Sequence, residues 1–387
     1  MTQEETLQEK YIRAGKIIVR AGILPFAVSE TLVELLKYYL DEGDIDFISS
    51  NFSGEVSLSM DQLKEKSGLT EGEIEERTGK LARKGFFINQ PNTKGVMIYR
   101  LLPLVMVGTF EYAFMKKLPE GDLPEGHKKV ARLYEKLLDE LTEGIQEKYD
   151  GLLPFFEKQP PVDRTIPVLT TGSGAPIKIV VGETLKTVEQ VLPAQTVEEI
   201  INKFDDIAVG HCFCRNYNTV LGHACEFNSP SEVCFSFGKS ARHTIAQGFA
   251  RPVTREEAHA ILKKAEDAGL IHKAFHNGMN ISKEENSICN CCKDCCDTFA
   301  LWRKGAIPLV NSTNYLSLID EGACGGCGTC VERCPVDAIR LNDSGRAVRE
   351  ESYCIGCGVC ARLCPDGAIS LREGMRRVYV PPPRLRP

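Results

Sequence analysis

The sequence lacks any long apolar run. No stretch of about 18 uncharged apolar residues occurs in the 387-residue chain, and a helix needs roughly that length to cross a bilayer. The longest apolar stretch, residues 101–110, is too short to do so. The first residues, MTQEETLQEK, are polar and acidic, unlike a secretory signal. We therefore expect neither a transmembrane segment nor export, and we expect the protein to be cytoplasmic.

An excess of positive charge is also absent. Lys and Arg total 47 against 53 Asp and Glu, which gives a formal charge of −6 at pH 7. Nucleic-acid-binding proteins generally present a basic face, because phosphate neutralisation supplies much of their affinity. The composition therefore disfavours nucleic acid as a partner and favours proteins with basic docking faces. No Ser-His-Asp set, paired-carboxylate motif or flavin fingerprint stands out, so the catalytic residues are unknown from sequence.

Cysteine, by contrast, is abundant, with 17 residues. In a chain with no export signal, so many cysteines are more consistent with thiolate metal ligands in a reducing compartment than with disulfides. Eight of them form two copies of the pattern C-x-x-C-x-x-C-x-x-x-C-P, thirty residues apart. The two copies comprise Cys324, Cys327, Cys330 and Cys334, then Cys354, Cys357, Cys360 and Cys364.

The repeat extends beyond the cysteines. Residues 324–341 align with residues 354–371 without a gap, and Gly326 and Gly328 match Gly356 and Gly358. Glycine tolerates the positive-φ turns that bring backbone N–H groups close to a metal–sulfide core. The proline after each fourth cysteine stiffens the exit from the loop. We therefore expect two equivalent metal-binding loops.

This segment, about residues 316–373, resembles the bacterial ferredoxin family with two [4Fe-4S] clusters. In that family the fourth cysteine of each run binds the other cluster. The resemblance implies that one cluster takes Cys324, Cys327, Cys330 and Cys364, and that the other takes Cys354, Cys357, Cys360 and Cys334. Repeated C-x-x-C also suits Zn²⁺, but the Cys-Pro pairs and the crossed repeat favour two [4Fe-4S] clusters.

Nine further cysteines lie in the middle of the chain, in two sequence groups. The first comprises Cys212, Cys214, Cys225 and Cys234, and the second comprises Cys289, Cys291, Cys292, Cys295 and Cys296. A free cysteine usually behaves as a small buried hydrophobe. Five cysteines within eight residues, interspersed with Asn, Lys and Asp, indicate a metal site instead.

Several arrangements of these nine thiols remain open. In one arrangement, each sequence group holds its own metal site. In the other, both groups share one cluster, with spare thiols beside it. Thiolate-rich sites suit Zn²⁺ or iron–sulfur, and coupling to a ferredoxin module favours one or two additional iron–sulfur clusters, with structural zinc as the alternative. Arg215, next to Cys214, either offsets cluster charge or is a surface cation.

The N-terminal part predicts helices followed by a hairpin. Helix starts are indicated at Ser29, Ser59 and Thr70, and 86–99 has the pattern of a hairpin. The layout of residues 27–100 resembles a winged helix–turn–helix domain. Four acids cancel four bases over 70–84, which favours a protein-interaction module over DNA binding.

Amphipathic patterning predicts a second strong helix over 128–148. The apolar segment 101–114 either packs under this helix or forms an exposed docking strip. A proline-rich connector follows over 150–193, with a strand at 177–181. Capping residues then indicate helices after Thr196 and Thr254, and a strand follows at 270–275.

Together these features predict a multi-domain α+β protein. It has a helical, winged-helix-like interaction module at 1–150, a connector and central α/β cysteine-rich metal-binding domain at 151–315, and a ferredoxin-like domain with a C-terminal tail at 316–387. The favoured function is low-potential electron transfer to or from a partner redox protein or enzyme complex, as a component of an oxidoreductase system. The alternatives are an iron–sulfur reductase with substrate at the central cluster, and a redox-sensing winged-helix regulator.

Overall fold

The structure, a computed structural model, describes residues 5–180 and 196–385. The last part of the predicted connector, including Pro193, lies outside the described residues, as do the extreme ends of the predicted first and last domains. The chain divides into two compact units: unit 1 is 1–143, 216–223 and 243–251, and unit 2 is 144–215, 224–242 and 252–387. All 17 cysteines belong to unit 2.

Unit 1 is built mainly from helices with one small sheet. Its elements in chain order are α1 (Leu7–Arg20), α2 (Glu30–Tyr39), α3 (Glu42–Asn51), β1 (Ser57–Ser59), α4 (Met60–Ser67), α5 (Glu71–Arg83), β2 (Phe87–Pro91), β3 (Met97–Leu101), α6 (Thr109–Phe114) and α7 (Glu125–Glu147), whose last turn passes into unit 2. The strands form an antiparallel sheet in the order β1-β3-β2.

Side-chain caps set the helix starts of unit 1. Ser29, Ser59 and Thr70 each accept the backbone N–H of the residue three positions later, as the sequence predicts. Gly68, at φ 68°, ends α4 in the left-handed conformation. The predicted hairpin is present as β2 and β3. The likeness of this unit to a winged helix stays a prediction.

The apolar segment after β3 packs inside unit 1. Leu101, Phe110 and Phe114 are buried. The rings of Phe110 and Phe114 meet the Tyr134 ring of α7 at centroid distances of 4.9 and 6.2 Å. The packed alternative for this segment is therefore correct, and the exposed docking strip is not.

Unit 2 contains the larger sheet. Its helices are α8 (Tyr149–Glu157), α9 (Val197–Lys203), α10 (Phe213–Val220), α11 (Gly238–Ala246), α12 (Arg255–Asp267), α13 (Asp297–Arg303), α14 (Thr329–Arg333) and α15 (Val359–Arg362), of which α10 and α11 pass into unit 1. Its strands are β4 (Asp163–Ile166), β5 (Ile179–Val180), β6 (Ile207–His211), β7 (Glu232–Phe237), β8 (Arg251–Pro252), β9 (Ile271–His276), β10 (Glu285–Cys291), β11 (Leu309–Ile319), β12 (Ile339–Leu341), β13 (Ala347–Arg349) and β14 (Ile369–Val380).

The sheet order joins the central and C-terminal parts of the chain. Nine strands run in the order β5-β14-β11-β4-β9-β10-β7-β6-β8, and β12 pairs separately with β13. β11 pairs antiparallel with β14 and parallel with β4, which pairs with β9. Along the chain, the cysteines of the ferredoxin-like repeat thus lie between β11 and β14. Both strands belong to the same sheet as β7 and β10, which carry central cysteines. The predicted division at 315/316 falls inside β11, and the three-domain division stays a prediction.

The helix starts and strands observed in unit 2 agree with those predicted from the sequence at most points. Thr196 and Thr254 cap α9 and α12 as predicted, and the predicted strand at 270–275 is β9. The predicted strand at 177–181 is shorter, because only Ile179 and Val180 pair as a strand with β14, and residue 181 is outside the described residues. The mixed helix-and-strand content expected of an α+β protein is confirmed.

Two buried ion pairs lie in the middle of the large sheet. Arg164 on β4 bonds Glu285 on β10 at 2.9 Å, and Lys273 on β9 bonds Asp163 at 2.7 Å. All four side chains are at most 5% exposed. Charges this deeply buried need their partners, because desolvation of an unpaired charge costs several kcal/mol. Among the described residues, no helix combines the length and apolarity needed to cross a bilayer.

Candidate metal centres

The two cysteine repeats fold in the same way. In each, a left-handed glycine precedes a short helix: Gly328 at φ 78° before α14, and Gly358 at φ 74° before α15. Gly326 and Gly356 are also left-handed, at φ 79° and 67°. The glycine spacing read from the sequence therefore marks real positive-φ positions, which other residues adopt only with strain.

The repeats exchange their fourth cysteines. One cavity is lined by Cys334 together with Cys354, Cys357 and Cys360. A second cavity is lined by Cys324, Cys327, Cys330 and Cys364. The structure thus brings together the two crossed sets that the ferredoxin resemblance implies.

The lining of these cavities suits an anionic iron–sulfur core. Backbone N–H groups of Ala338 and Ala347 donate to the Sγ atoms of Cys334 and Cys324 at 3.3 and 3.4 Å. The hydroxyl of Ser317 lies 3.5 Å from Cys354 Sγ. Burial raises the pKa of the Cys334 thiol to about 11, so a thiolate there needs a bound cation. Four thiolates per cavity are the donor set of a [4Fe-4S] cluster.

Six of the nine central cysteines form a closed ring of thiol contacts, named here the six-thiol ring. Around the ring, each thiol lies close enough to the next to shift its pKa, in the order Cys212, Cys214, Cys296, Cys291, Cys289, Cys234 and back to Cys212. Cys289 is partly buried and the other five are buried. Three members come from each sequence group, so the two groups do not close separate sites.

The sheet explains why these thiols meet. β10, β7 and β6 are consecutive strands, and Cys234 on β7 lies opposite Gly210, two residues before Cys212. Cys289 and Cys291 are two residues apart on β10, so their side chains point to the same face. Cys214 lies in the first turn of α10, and Cys296 directly precedes α13.

Two buried cations adjoin the six-thiol ring. Arg215 is 4% exposed, which excludes the surface-cation alternative. Burial opposes its charge, but Cys212 and Cys295 hold the pKa of its guanidinium above the usual value. Burial likewise opposes the charge of Lys273, while Asp163 and the nearby Cys291 raise the pKa of its ammonium. Sequence reasoning did not single out Lys273, although a lysine among the apolar residues Ile271, Ala274 and Phe275 of one strand is a usable signal.

The other three central cysteines form a separate cluster, named here the three-thiol group. The Sγ atom of Cys225 lies 3.8 Å from Cys292 Sγ and 3.7 Å from Cys295 Sγ. Among the described residues, this is the one set of three or more His, Cys, Asp or Glu whose ligand atoms all lie within 4.8 Å of one another. Sequence reasoning did not separate it from the six-thiol ring.

One apolar core connects the six-thiol ring with the repeat cysteines. Cys291 and Cys296 are buried in the same core as Cys354 and Cys357. Cys334 packs against this core and also against the neighbouring core. That neighbouring core contains Cys324 and Cys330. The ring and the two cavities are therefore linked through contiguous buried side chains within unit 2.

Comparison with known families agrees with this geometry. Residues 317–371 match the family model described as a 4Fe-4S dicluster domain. The C-terminal segment is therefore a ferredoxin-type iron–sulfur domain, close to the limits predicted from the repeat. No curated protein and no solved structure matches the chain.

Proposed function

We propose that this protein is an iron–sulfur electron-transfer protein or subunit, which relays low-potential electrons between two ferredoxin-type clusters, a further iron–sulfur centre in the six-thiol ring and a partner redox enzyme. The observation that carries this proposal is the shared apolar core, which contains Cys291 and Cys296 of the ring and Cys354 and Cys357 of one ferredoxin cavity. Bound clusters would supply reversible electron storage, at potentials set by cluster type, hydrogen bonds and exposure.

The repeat cysteines would hold the two ferredoxin clusters in crossed sets. Cys354, Cys357, Cys360 and Cys334 line one cavity, and Cys324, Cys327, Cys330 and Cys364 line the other. The backbone donors to Cys334 and Cys324 stabilise thiolate charge. This division is the assignment that the 4Fe-4S dicluster family implies.

The six-thiol ring would hold the additional centre. A single [4Fe-4S] cluster uses four thiolates, so six thiols either leave two spare or hold a larger cluster. Two buried cations beside the ring, Arg215 and Lys273, offset the negative charge that such a cluster brings. Structural zinc in the ring is the competing interpretation, and it predicts no extra electron capacity.

Fixed placement of the ferredoxin domain on the central part supports relay within unit 2. The buried Arg362 donates to the Glu266 carbonyl at 2.8 Å and to Asp267 Oδ1 at 2.6 Å. Lys293, within the second cysteine group, bonds Asp337 at 2.9 Å. These contacts hold the repeat against α12 and the central cysteine loop, so the centres keep a constant separation.

A role for unit 1 in protein docking fits better than DNA binding. Lys80 of α5 and Lys84, which follows the helix as its C-cap, bond Asp44 at 3.0 and 2.8 Å, and Lys80 also bonds Asp41. Arg77 donates to the Gly43 carbonyl. Cations already neutralised within the unit contribute little to phosphate binding, so this helix is a poor DNA-recognition surface. A redox partner protein is the favoured occupant of this unit's surface.

Counting electrons tests the proposal. Anaerobically purified wild-type protein and Cys291→Ala are reduced stepwise with a low-potential dye, while absorbance and electron spin resonance are recorded. Cys291→Ala should lose the capacity of the additional centre and retain the ferredoxin signals. Cys225→Ala, the matched control outside the six-thiol ring, should take up as many electrons as wild type. Because two ring thiols can be spare, Cys289, Cys291 and Cys296 are also replaced together, which leaves too few ring thiols for a [4Fe-4S] cluster. Wild-type capacity in that triple variant would contradict an electron-carrying centre in the ring.

A further inference from the structure

The three-thiol group has dimensions that differ from those of a cluster site. In a [4Fe-4S] cluster each thiolate binds a different iron, so the sulfur atoms are held apart by the iron–sulfide core. The three Sγ atoms of Cys225, Cys292 and Cys295 instead all lie within 4.8 Å of one another. Neither the cavity-lining sets of the ferredoxin repeats nor any three members of the six-thiol ring form such a mutually compact set among the described residues.

The spacing matches that of one tetrahedral metal ion. A Zn–S bond is about 2.3 Å long, and tetrahedral angles then put neighbouring sulfur atoms about 3.8 Å apart. The Sγ of Cys225 lies 3.8 Å from that of Cys292 and 3.7 Å from that of Cys295. Two of the three separations are therefore those expected of thiolates on one ion, and the third, between Cys292 and Cys295, is below 4.8 Å.

We propose that Cys225, Cys292 and Cys295 bind a single Zn²⁺ ion whose fourth coordination position is open to an external sulfur ligand. No other His, Cys, Asp or Glu of the described residues joins this set. Three protein ligands with a fourth position free for an exchangeable ligand are typical of catalytic rather than structural zinc. Cys225 is only partly buried, whereas Cys292 and Cys295 are buried, so the site is reachable from the Cys225 side.

The surroundings hold the site in shape. The backbone N–H of Glu226 donates to Asp294 Oδ2 at 2.9 Å, which ties the loop of Cys225 to the turn of Cys292 and Cys295. The Ser229 hydroxyl donates to Cys292 Sγ at 3.5 Å. Both contacts fix ligand loops that are far apart in the sequence.

The charge of the site indicates the class of its external ligand. Three thiolates on Zn²⁺ give a net charge of −1, which weakens the ion as a Lewis acid toward water. The Arg215 guanidinium, in contact with Cys295, partly compensates this negative charge. A soft sulfur donor completes a thiolate-rich set best, so a small thiol is the ligand that fits.

Metal content of two matched serine variants tests the ion. Protein purified anaerobically without thiol reductants should contain about one zinc per chain. Cys292→Ser should lose that zinc with iron unchanged, whereas Cys289→Ser, in the six-thiol ring, should lose iron with zinc unchanged. Wild type without zinc, loss of iron from Cys292→Ser, or a disulfide between Cys225 and Cys292 in the purified protein would each overturn the proposal. The zinc count of wild type and Cys292→Ser is independent of the electron-transfer proposal, whereas the iron loss expected of Cys289→Ser rests on it.

X-ray absorption at the zinc edge tests the open position, since iron does not contribute there. The expected shell is three sulfur atoms near 2.3 Å and one lighter atom near 2.0–2.2 Å. Adding 2-mercaptoethanol should convert this shell to four sulfur atoms, and Ser229→Ala should give the same spectra as wild type. Four sulfur atoms before addition, a lighter shell unchanged by the thiol, or loss of the lighter atom in Ser229→Ala would show a closed site and refute the open position.

Discussion

Replacing Gly358 by alanine should destabilise the ferredoxin domain far more than the same change at Gly328. The two glycines occupy equivalent places in the repeat, and both have a left-handed φ, 74° and 78°. A Cβ on Gly358 would lie 2.4 Å from the Val168 carbonyl oxygen, whereas a Cβ on Gly328 would meet nothing within 4 Å. The pair therefore separates the cost of strain from the cost of a backbone clash.

The expected magnitudes follow from these distances. A left-handed non-glycine residue costs about 1–2 kcal/mol, and Gly328→Ala should lose only that amount of stability. The clash at Gly358 is with backbone that cannot turn away, because the Val168 N–H is bonded to the Cys357 carbonyl at 3.0 Å. Overpacking of this kind adds about 1–3 kcal/mol, which corresponds to a further ~5- to 150-fold in unfolding rate.

A kinetic assay suits a protein whose clusters are destroyed on unfolding. Anaerobic bleaching of the visible absorbance is followed after mixing with guanidinium, for wild type and both variants. Gly358→Ala should bleach faster than Gly328→Ala by the factor above, provided that this contact forms late in folding. Equal rates for the two variants would refute the assignment of the close approach at Val168.

Three further predictions concern ligation, charge and pH. Cys334→Ala should damage the cluster of the later run, and Cys364→Ala should damage that of the earlier run, as read from electron spin resonance of the reduced protein. If each substitution instead damaged the cluster of the run that contains it, the crossed sets would be wrong. Arg164→Met should lower stability by about 3 kcal/mol, because it leaves the buried Glu285 carboxylate with only the half-exposed Lys203, 3.7 Å away, and adding Glu285→Leu should restore most of this loss in thermal unfolding. Burial lowers the pKa of His243 to about 4, so the unfolded chain binds its proton first as pH falls from 7 to 5. His243 should then remove about 2 kcal/mol of stability over that interval, and a His243→Gln variant whose unfolding shows the same pH dependence as wild type would exclude this contribution.

Much of the local structure could be read from the sequence, because its determinants are neighbours along the chain. Ser29, Ser59 and Thr70 cap helices through bonds to residues three positions later. The matching glycines of the repeat marked positive-φ turns. The ferredoxin-type domain was predicted for the same reason, since all its cysteines lie within 41 residues, from 324 to 364.

The sorting of the nine central cysteines could not be read in this way. Cys225 lies between Cys214 and Cys234 in sequence, yet those two belong to the six-thiol ring, and Cys225 joins Cys292 and Cys295 instead. The sorting depends on strand order, which places β10 beside β7 and β7 beside β6. Spacing along the chain carries no information about such long-range pairing.

The sequence by itself determined that this protein carries a duplicated iron–sulfur motif, where its capped helices begin, and that its middle is rich in cysteine. Only the tertiary structure decided that the crossed cysteine sets share cavities, that Arg215 and Lys273 are buried beside the six-thiol ring, and that three thiols stand apart at the spacing of a single ion. The physical reason is range: caps, turns and repeats are set by bonds between near neighbours, whereas a metal site is set by which strands and loops pack together.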